Sequence, residues 1–178
     1  MSRVAEVDGL CLTMPVGWWA WKYDDSAFHR HQFQSFAGGS KAMDLVALTD
    51  DNTLWLIEVK DYRRHQRAKP SSVFAEVAAK VRATLAGLAT ARLRANDPAE
   101  QDLASLAMGC QKIRVALQLG QPTKPSRLFP QVVDPADARL QLRRAVKAVD
   151  PHPLCSAGAI DNHRLPWTTV DQGTREAP

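Results

Sequence analysis

Residues 41–64 read KAMDLVALTDDNTLWLIEVKDYRR, and the fold follows from how this stretch divides. Two apolar runs, 42–49 and 53–60, are separated by Asp50-Asp51-Asn52. Runs of this length, rich in Leu, Val, Ile and Trp and broken by Asp and Asn, predict a β-hairpin. A three-residue loop suits the insert, and Asn52 is best able to take a left-handed backbone conformation there. Pairing Thr49 with Thr53 sets Leu48 opposite Leu54, Val46 opposite Leu56 and Asp44 opposite Glu58. Strand side chains alternate, so Lys60 shares the face of Glu58. The other face carries Leu45, Ala47, Trp55, Ile57 and Val59. Apolar residues on both faces mark a central, covered strand pair.

Asp44, Glu58 and Lys60 are the candidate catalytic residues. Carboxylates opposite one another on a hairpin stand about 4.5–5.5 Å apart at their Cβ atoms, where like charges are destabilising. In a covered site one must protonate unless a cation lies between them. A divalent metal resolves the conflict, and Mg²⁺ is typically held by one or two carboxylates with water and phosphate oxygens. Lys60 then adds positive charge where a bond to phosphorus breaks. The plainer alternative is a structural salt bridge, with Lys60 pairing Asp44 or Glu58.

Asp44, thirteen intervening residues and Glu58-Val59-Lys60, flanked by LWLIEVKDYR, resemble the D…(D/E)-x-K signature of the PD-(D/E)XK, or restriction-endonuclease-like, nuclease superfamily. The resemblance covers about twenty residues at its core, and the following helix extends the topological match to roughly residue 95. It implies that Asp44 and Glu58 bind Mg²⁺ or Mn²⁺, with the Val59 backbone carbonyl, and that Lys60 assists phosphodiester hydrolysis. Many members carry a further acid upstream, on a helix before the sheet. Glu6, Asp24 and Asp25 are the candidates here, and none fills that place unambiguously.

The rest of the chain is consistent with an α/β domain, a central mixed sheet flanked by helices. Residues 1–9 read as a loose start, 10–14 as a short strand, and 18–23 as a strand with an aromatic face. Asp24 or Asp25 can cap a short helix whose Phe28 points inward, while His29 and His31, two apart, are read as facing solvent or phosphate. Ser71 or Ser72 caps a helix to about Asn96, with Phe74, Val77, Ala78, Val81, Leu85 and Leu88 as its buried stripe. On it Glu76 and Lys80 are spaced for a surface ion pair, with a reserve role near the site, since a catalytic side chain migrates to this helix in some relatives. Asp97-Pro98 and Asp134-Pro135 each open a further helix. Leu103, Leu106, Ala107 and Cys110 are expected to face inward from the first, and Leu142, Ala145, Val146 and Val149 from the second. The alternation Ile113, Val115, Leu117, Leu119 predicts a strand, with weaker strands over 154–160 and 167–170. Residues 1–170 are assigned to one nuclease-like domain and 171–178 to a polar tail.

The chain of 178 residues has a net charge of +4, and the segment from Lys60 to Lys69 carries that much by itself. Lys41, Arg63, Arg64, Arg67 and Lys69 are therefore the candidate nucleic-acid contacts, of a kind that positions a backbone without reading sequence. Cys11, Cys110 and Cys155 are too scattered for a disulfide framework or zinc knuckle. No run approaches a membrane span and the N-terminus lacks a signal layout, so a cytoplasmic location is expected. The expected activity is Mg²⁺-dependent hydrolysis of DNA, with a homodimer or protein partner if cutting is site-specific. The alternative is a nuclease-like module that binds nucleic acid or a protein without cutting.

Overall fold

The computed structural model describes residues 3–63, 71–122, 124, 126–127, 133–158 and 164–171. In chain order the strands and long helices are β1 (Val4–Val7), β2 (Leu10–Thr13), β3 (Trp18–Lys22), β4 (Leu45–Thr49), β5 (Thr53–Asp61), α1 (Val73–Arg94), α2 (Pro98–Gly109), β6 (Lys112–Gly120), α3 (Pro135–Val146), β7 (Leu154–Gly158) and β8 (Thr168–Asp171). A π-helical turn, His29–Phe33, and a 3-10 turn, Phe36–Gly38, lie between β3 and β4.

The hairpin forms in the register its sequence predicts. Leu45 pairs with Ile57, Val46 with Leu56, Ala47 with Trp55 and Leu48 with Leu54. Asn52 takes the left-handed conformation, at φ +57°. Around this pair a five-stranded mixed sheet is ordered β3-β4-β5-β6-β7. β4 is antiparallel to both β3 and β5, whereas β6 and β7 continue parallel to β5. Parallel neighbours need a crossover. Helices α1 and α2 make the first, from β5 to β6, and α3 lies in the second, from β6 to β7.

The helices close one face of the sheet. Val46, Leu48, Leu54 and Leu56 share a core there with Val77, Val81 and Leu88 of α1 and Leu142 of α3. The start of α1 follows from Ser72, whose hydroxyl accepts from Phe74 N at 3.3 Å. Asp97 and Asp134 cap α2 and α3 in the same way, each followed by proline in the first turn. Two inward assignments fail: Leu106 is 57% exposed and Ala145 is exposed, because Ala104 and Ala107 on α2, and Ala138 with Leu142 on α3, occupy the contact lines.

The opposite face is covered by a second sheet that the sequence reading did not anticipate. Its order is β1-β2-β8, all antiparallel. Ala5, Val7, Leu10, Leu12 and Met14 pack from it onto Leu45, Ala47, Trp55, Ile57 and Val59. Val4–Val7, within the stretch read as a loose lead-in, thus form a strand. Asp171, read as the first residue of the tail, ends β8 opposite Leu10. Residues 172–178 lie outside the described residues.

The short helical turn after β3 is held differently from expectation. Ser26 Oγ accepts from His29 N at 3.1 Å, and Glu100 of α2 accepts from Ala27 N at 2.8 Å and Phe28 N at 2.7 Å. Asp24 and Asp25 therefore do not cap it. His29, read as facing solvent or phosphate, is buried, against Tyr23 at 5.8 Å between ring centroids.

Two predictions test this packing. Replacing Gly87 of α1 by alanine favours an isolated helix by about 1 kcal/mol. Here the new methyl would collide with the buried Tyr23 hydroxyl. Gly87→Ala should therefore lower unfolding free energy by about 1–3 kcal/mol in a urea titration. Burial pushes the Cys155 thiol up to about 12. At pH 8 iodoacetamide should leave Cys155 unmodified in the folded protein and label it once guanidinium unfolds the chain.

Candidate active site

The hairpin register delivers Asp44 and Glu58 to the same end of the sheet. Asp44 immediately precedes β4, and one further step in the Leu45–Ile57 pairing leads to Glu58. Its carboxylate continues the ladder: Asp44 Oδ2 accepts from Val59 N at 2.8 Å. Behind it, Met43 N donates to the hydroxyl of fully buried Thr84 on α1, at 2.9 Å. Both strands and the helix therefore fix this corner. Asp44 is 5% exposed and Glu58 1%.

Two ammonium groups meet these acids. Lys60 Nζ stands 2.7 Å from Glu58 Oε1 and 3.7 Å from Asp44 Oδ2. Lys80 reaches in from α1, 2.6 Å from Glu58 Oε1 and 3.0 Å from Asp44 Oδ1. The spacing of Lys80 from Glu76 predicts a surface ion pair; its ammonium instead goes inward, while Glu76 accepts from the Ser71 hydroxyl. The signal was present in the sequence, since Lys80 lies three residues after Val77 and four before Thr84, both buried. A side chain there flanks the stripe packed on the sheet.

The electrostatics are those of a crowded, desolvated centre. Burial first, and then the charge of Asp44, pushes the Glu58 carboxyl above the usual range, against the pull of Lys80 and Lys60. For Lys60 burial disfavours the charge, but Glu58 and Asp44 outweigh it and hold the ammonium above its ordinary value. Both carboxylates contact the same nitrogen, so they converge on a point that one cation can occupy. Glu58 Oε2 is buried with no hydrogen-bond partner. Among the described residues no three or more His, Cys, Asp and Glu side chains form a metal cage. Two convergent carboxylates with a spare oxygen nevertheless fit Mg²⁺ or Mn²⁺, which keep water and substrate oxygens as their other ligands.

Asp24, one of the three upstream acids, lies within electrostatic reach of Asp44. Burial and then Asp44 push its carboxyl up, and its Oδ1 is buried without a partner. Asp25 is instead paired with Lys22 at 2.8 Å and with Arg30. Glu6 is exposed on β1 in the second sheet.

The expected nucleic-acid contacts are divided. Lys41 is exposed and borders the same groove as Lys60 and Lys80. Arg63 is taken up by carboxylates, in a fork on Asp61 at 2.9 and 2.7 Å and on Asp171 at 2.8 Å. It ties the end of β5 to β8 rather than standing ready for phosphate. Arg64, Arg67 and Lys69 lie outside the described residues. No described helix is long and apolar enough to cross a membrane.

Comparison with known proteins adds one sequence likeness. The chain is 36% identical over 107 residues to a cysteine–tRNA ligase of Neisseria meningitidis serogroup A, a match that takes in 56% of this chain. It spans only 15% of that ligase's length. No protein-family model and no solved structure matches the chain.

Proposed function

We propose that the protein is a Mg²⁺- or Mn²⁺-dependent nuclease that hydrolyses phosphodiester bonds of DNA, with Asp44 and Glu58 as metal ligands and Lys60 as the catalytic ammonium. The observation that carries this reading is the convergence of Asp44 and Glu58 on one cation position, 3.0 and 2.6 Å from the same nitrogen. Asp44, Glu58 and the Val59 carbonyl would hold the ion. When bound, it supplies a water of lowered pKa and polarises the phosphate.

The chain's own groups account for the rest. Asp44 is oriented by the Val59 amide, so its second oxygen keeps a fixed direction. Lys60 stays protonated through neutral pH and faces the charge that develops as the bond breaks. The two acids are already neutralised by two ammoniums. A divalent ion there would leave Lys60 and Lys80 in need of an anion, which the phosphodiester supplies.

A second reading is favoured by Lys80. Its ammonium lies on both acids where a metal would lie, so the network can be satisfied internally. The protein would then bind nucleic acid or a protein partner without cutting. The ligase it resembles acts, by its name, on tRNA, which adds transfer RNA to the substrates worth testing.

Supercoiled plasmid, single-stranded circular DNA and transfer RNA, incubated with Mg²⁺ or Mn²⁺, decide between these. DNA should be cleaved by the wild type. Asp44→Asn, Glu58→Gln and Lys60→Ala should each cost ~10²-fold or more, with EDTA abolishing the reaction. Mn²⁺ should also raise the melting temperature of the wild type but not of Glu58→Gln. Salt-sensitive nucleic-acid binding with no cleavage and no Mn²⁺ effect would establish the second reading instead.

A further inference from the structure

Beside the four charges a groove of about 670 Å³ runs along α1, in the size range of pockets that hold small molecules, ~300–1,000 Å³. Lys60 and Lys80 line it at the charged centre, and Lys41 and Arg82 are exposed along its border. Away from the lysines the lining turns apolar, with Phe33, Phe36, Ala83 and Ala86. Lys60 and Lys80 are paired with Asp44 and Glu58, so Lys41 and Arg82 are the cations of this lining outside that quartet; they suit an anionic occupant, and the apolar part suits a flat unsaturated one.

Phe36 is the distinctive residue. Three phenylalanines form a stack from the core outward: Phe28 on Phe33 at 5.8 Å between centroids, and Phe33 on Phe36 at 5.3 Å, each pair within 30° of parallel. Phe28 and Phe33 are buried, whereas Phe36 is 61% exposed. Its ring lies against Phe33 on one side, and the residue lines the groove. The support beneath it is firm. Gln32 donates to Arg94 O at 3.0 Å and accepts from Asn96 N at 3.0 Å, clamping the helical turn to the end of α1. The backbone after Phe36 runs through positive φ at Ala37, Gly38 and Gly39. For alanine that conformation is costly, and the surrounding structure maintains it.

We infer that this groove is a nucleotide subsite of the proposed nuclease centre, in which a base stacks on Phe36 while its phosphate meets Lys41 and Arg82, so that the preferred substrate is single-stranded nucleic acid. The inference rests on the nuclease reading for its role but not for its binding chemistry. Every base has a π face, and aromatic side chains beside cations are how proteins hold unpaired strands. Inside a duplex those faces are covered by neighbouring base pairs, and a base must leave the stack to reach a ring such as Phe36. DNA and RNA share this chemistry.

The test uses the full chain and fluorescence anisotropy with labelled oligo-dT, oligo-rU and a DNA duplex of equal length, in EDTA so that no strand is cut. Single strands should bind about tenfold or more tightly than the duplex. Phe36→Ala should weaken single-strand binding about tenfold, leave duplex binding unchanged, and be rescued by Phe36→Trp. Equal responses of dT and rU assign the subsite to the base and phosphate; a difference between them assigns it to the one bound tighter. Equal affinity for duplex and single strand, or indifference to Phe36→Ala with an unchanged melting temperature, overturns the inference. Cleavage of the circular DNAs, run in parallel, separates the two claims. Phe36-dependent single-strand binding without metal-dependent cleavage keeps the subsite and removes the nuclease. Metal-dependent cleavage lost in Glu58→Gln but indifferent to strandedness and to Phe36→Ala keeps the nuclease and removes the subsite.

Discussion

Asp44, Glu58, Lys60 and Lys80 form a desolvated quartet of formal charges at one end of the sheet, with Glu58 1% exposed at its centre. Taking such charges out of water costs several kcal/mol per ion, and their attraction repays it only when geometry and hydrogen bonds are good. A packed apolar corner would serve stability as well or better. What the quartet requires is that three elements stay in register: Asp44 before β4, Glu58 and Lys60 on β5, and Lys80 on α1. Much of the surrounding structure meets that requirement. The Thr84 hydroxyl anchors Met43, the Val59 amide anchors Asp44, and the stripe Val77, Val81, Leu88 seats α1 on Val46, Leu54 and Leu56.

The second sheet makes this arrangement possible from behind. β5 is buried on both faces over residues 53–59, so its far side needs a cover as apolar as the helices. β1, β2 and β8 provide it, and polar links join the layers. Gln118 of β6 donates to Thr169 Oγ1 at 2.9 Å and accepts from Trp167 Nε1 at 2.8 Å. Arg63 bridges Asp61 and Asp171. The first and last described strands are thus brought beneath the hairpin, and the face that carries the four charges is left to the helices and the groove.

Local chemistry explains which parts of the site were legible. The pairing of Asp44 with Glu58 could be read because a hairpin loop fixes register and alternation fixes faces. Lys80 was half legible: its spacing placed it beside the buried stripe, but the same spacing gave it a surface partner in Glu76. The choice between them depends on how far α1 stands from β5. Asp24 was one of three upstream acids with equal standing in the sequence, separated only when the end of β3 fell close to Asp44. Phe36 carried no signal, because Phe33 at three residues' distance suggests a short amphipathic turn and not a ring left uncovered.

From the sequence alone come the hairpin, its left-handed Asn52, the helix starts at Ser71 or Ser72, Asp97 and Asp134, and the meeting of one aspartate with one glutamate and lysine. Each depends on residues within sixteen positions of one another, so loop geometry, capping and side-chain alternation suffice. The folded chain decided the rest: that Lys80 turns onto the acids, that Arg63 is bound to Asp171, that β1, β2 and β8 cover the second face, and that Phe36 borders an open groove. Those outcomes join segments from 22 to more than a hundred residues apart. Only the packing of whole layers, and the need to neutralise charge once water is excluded, selects among their partners.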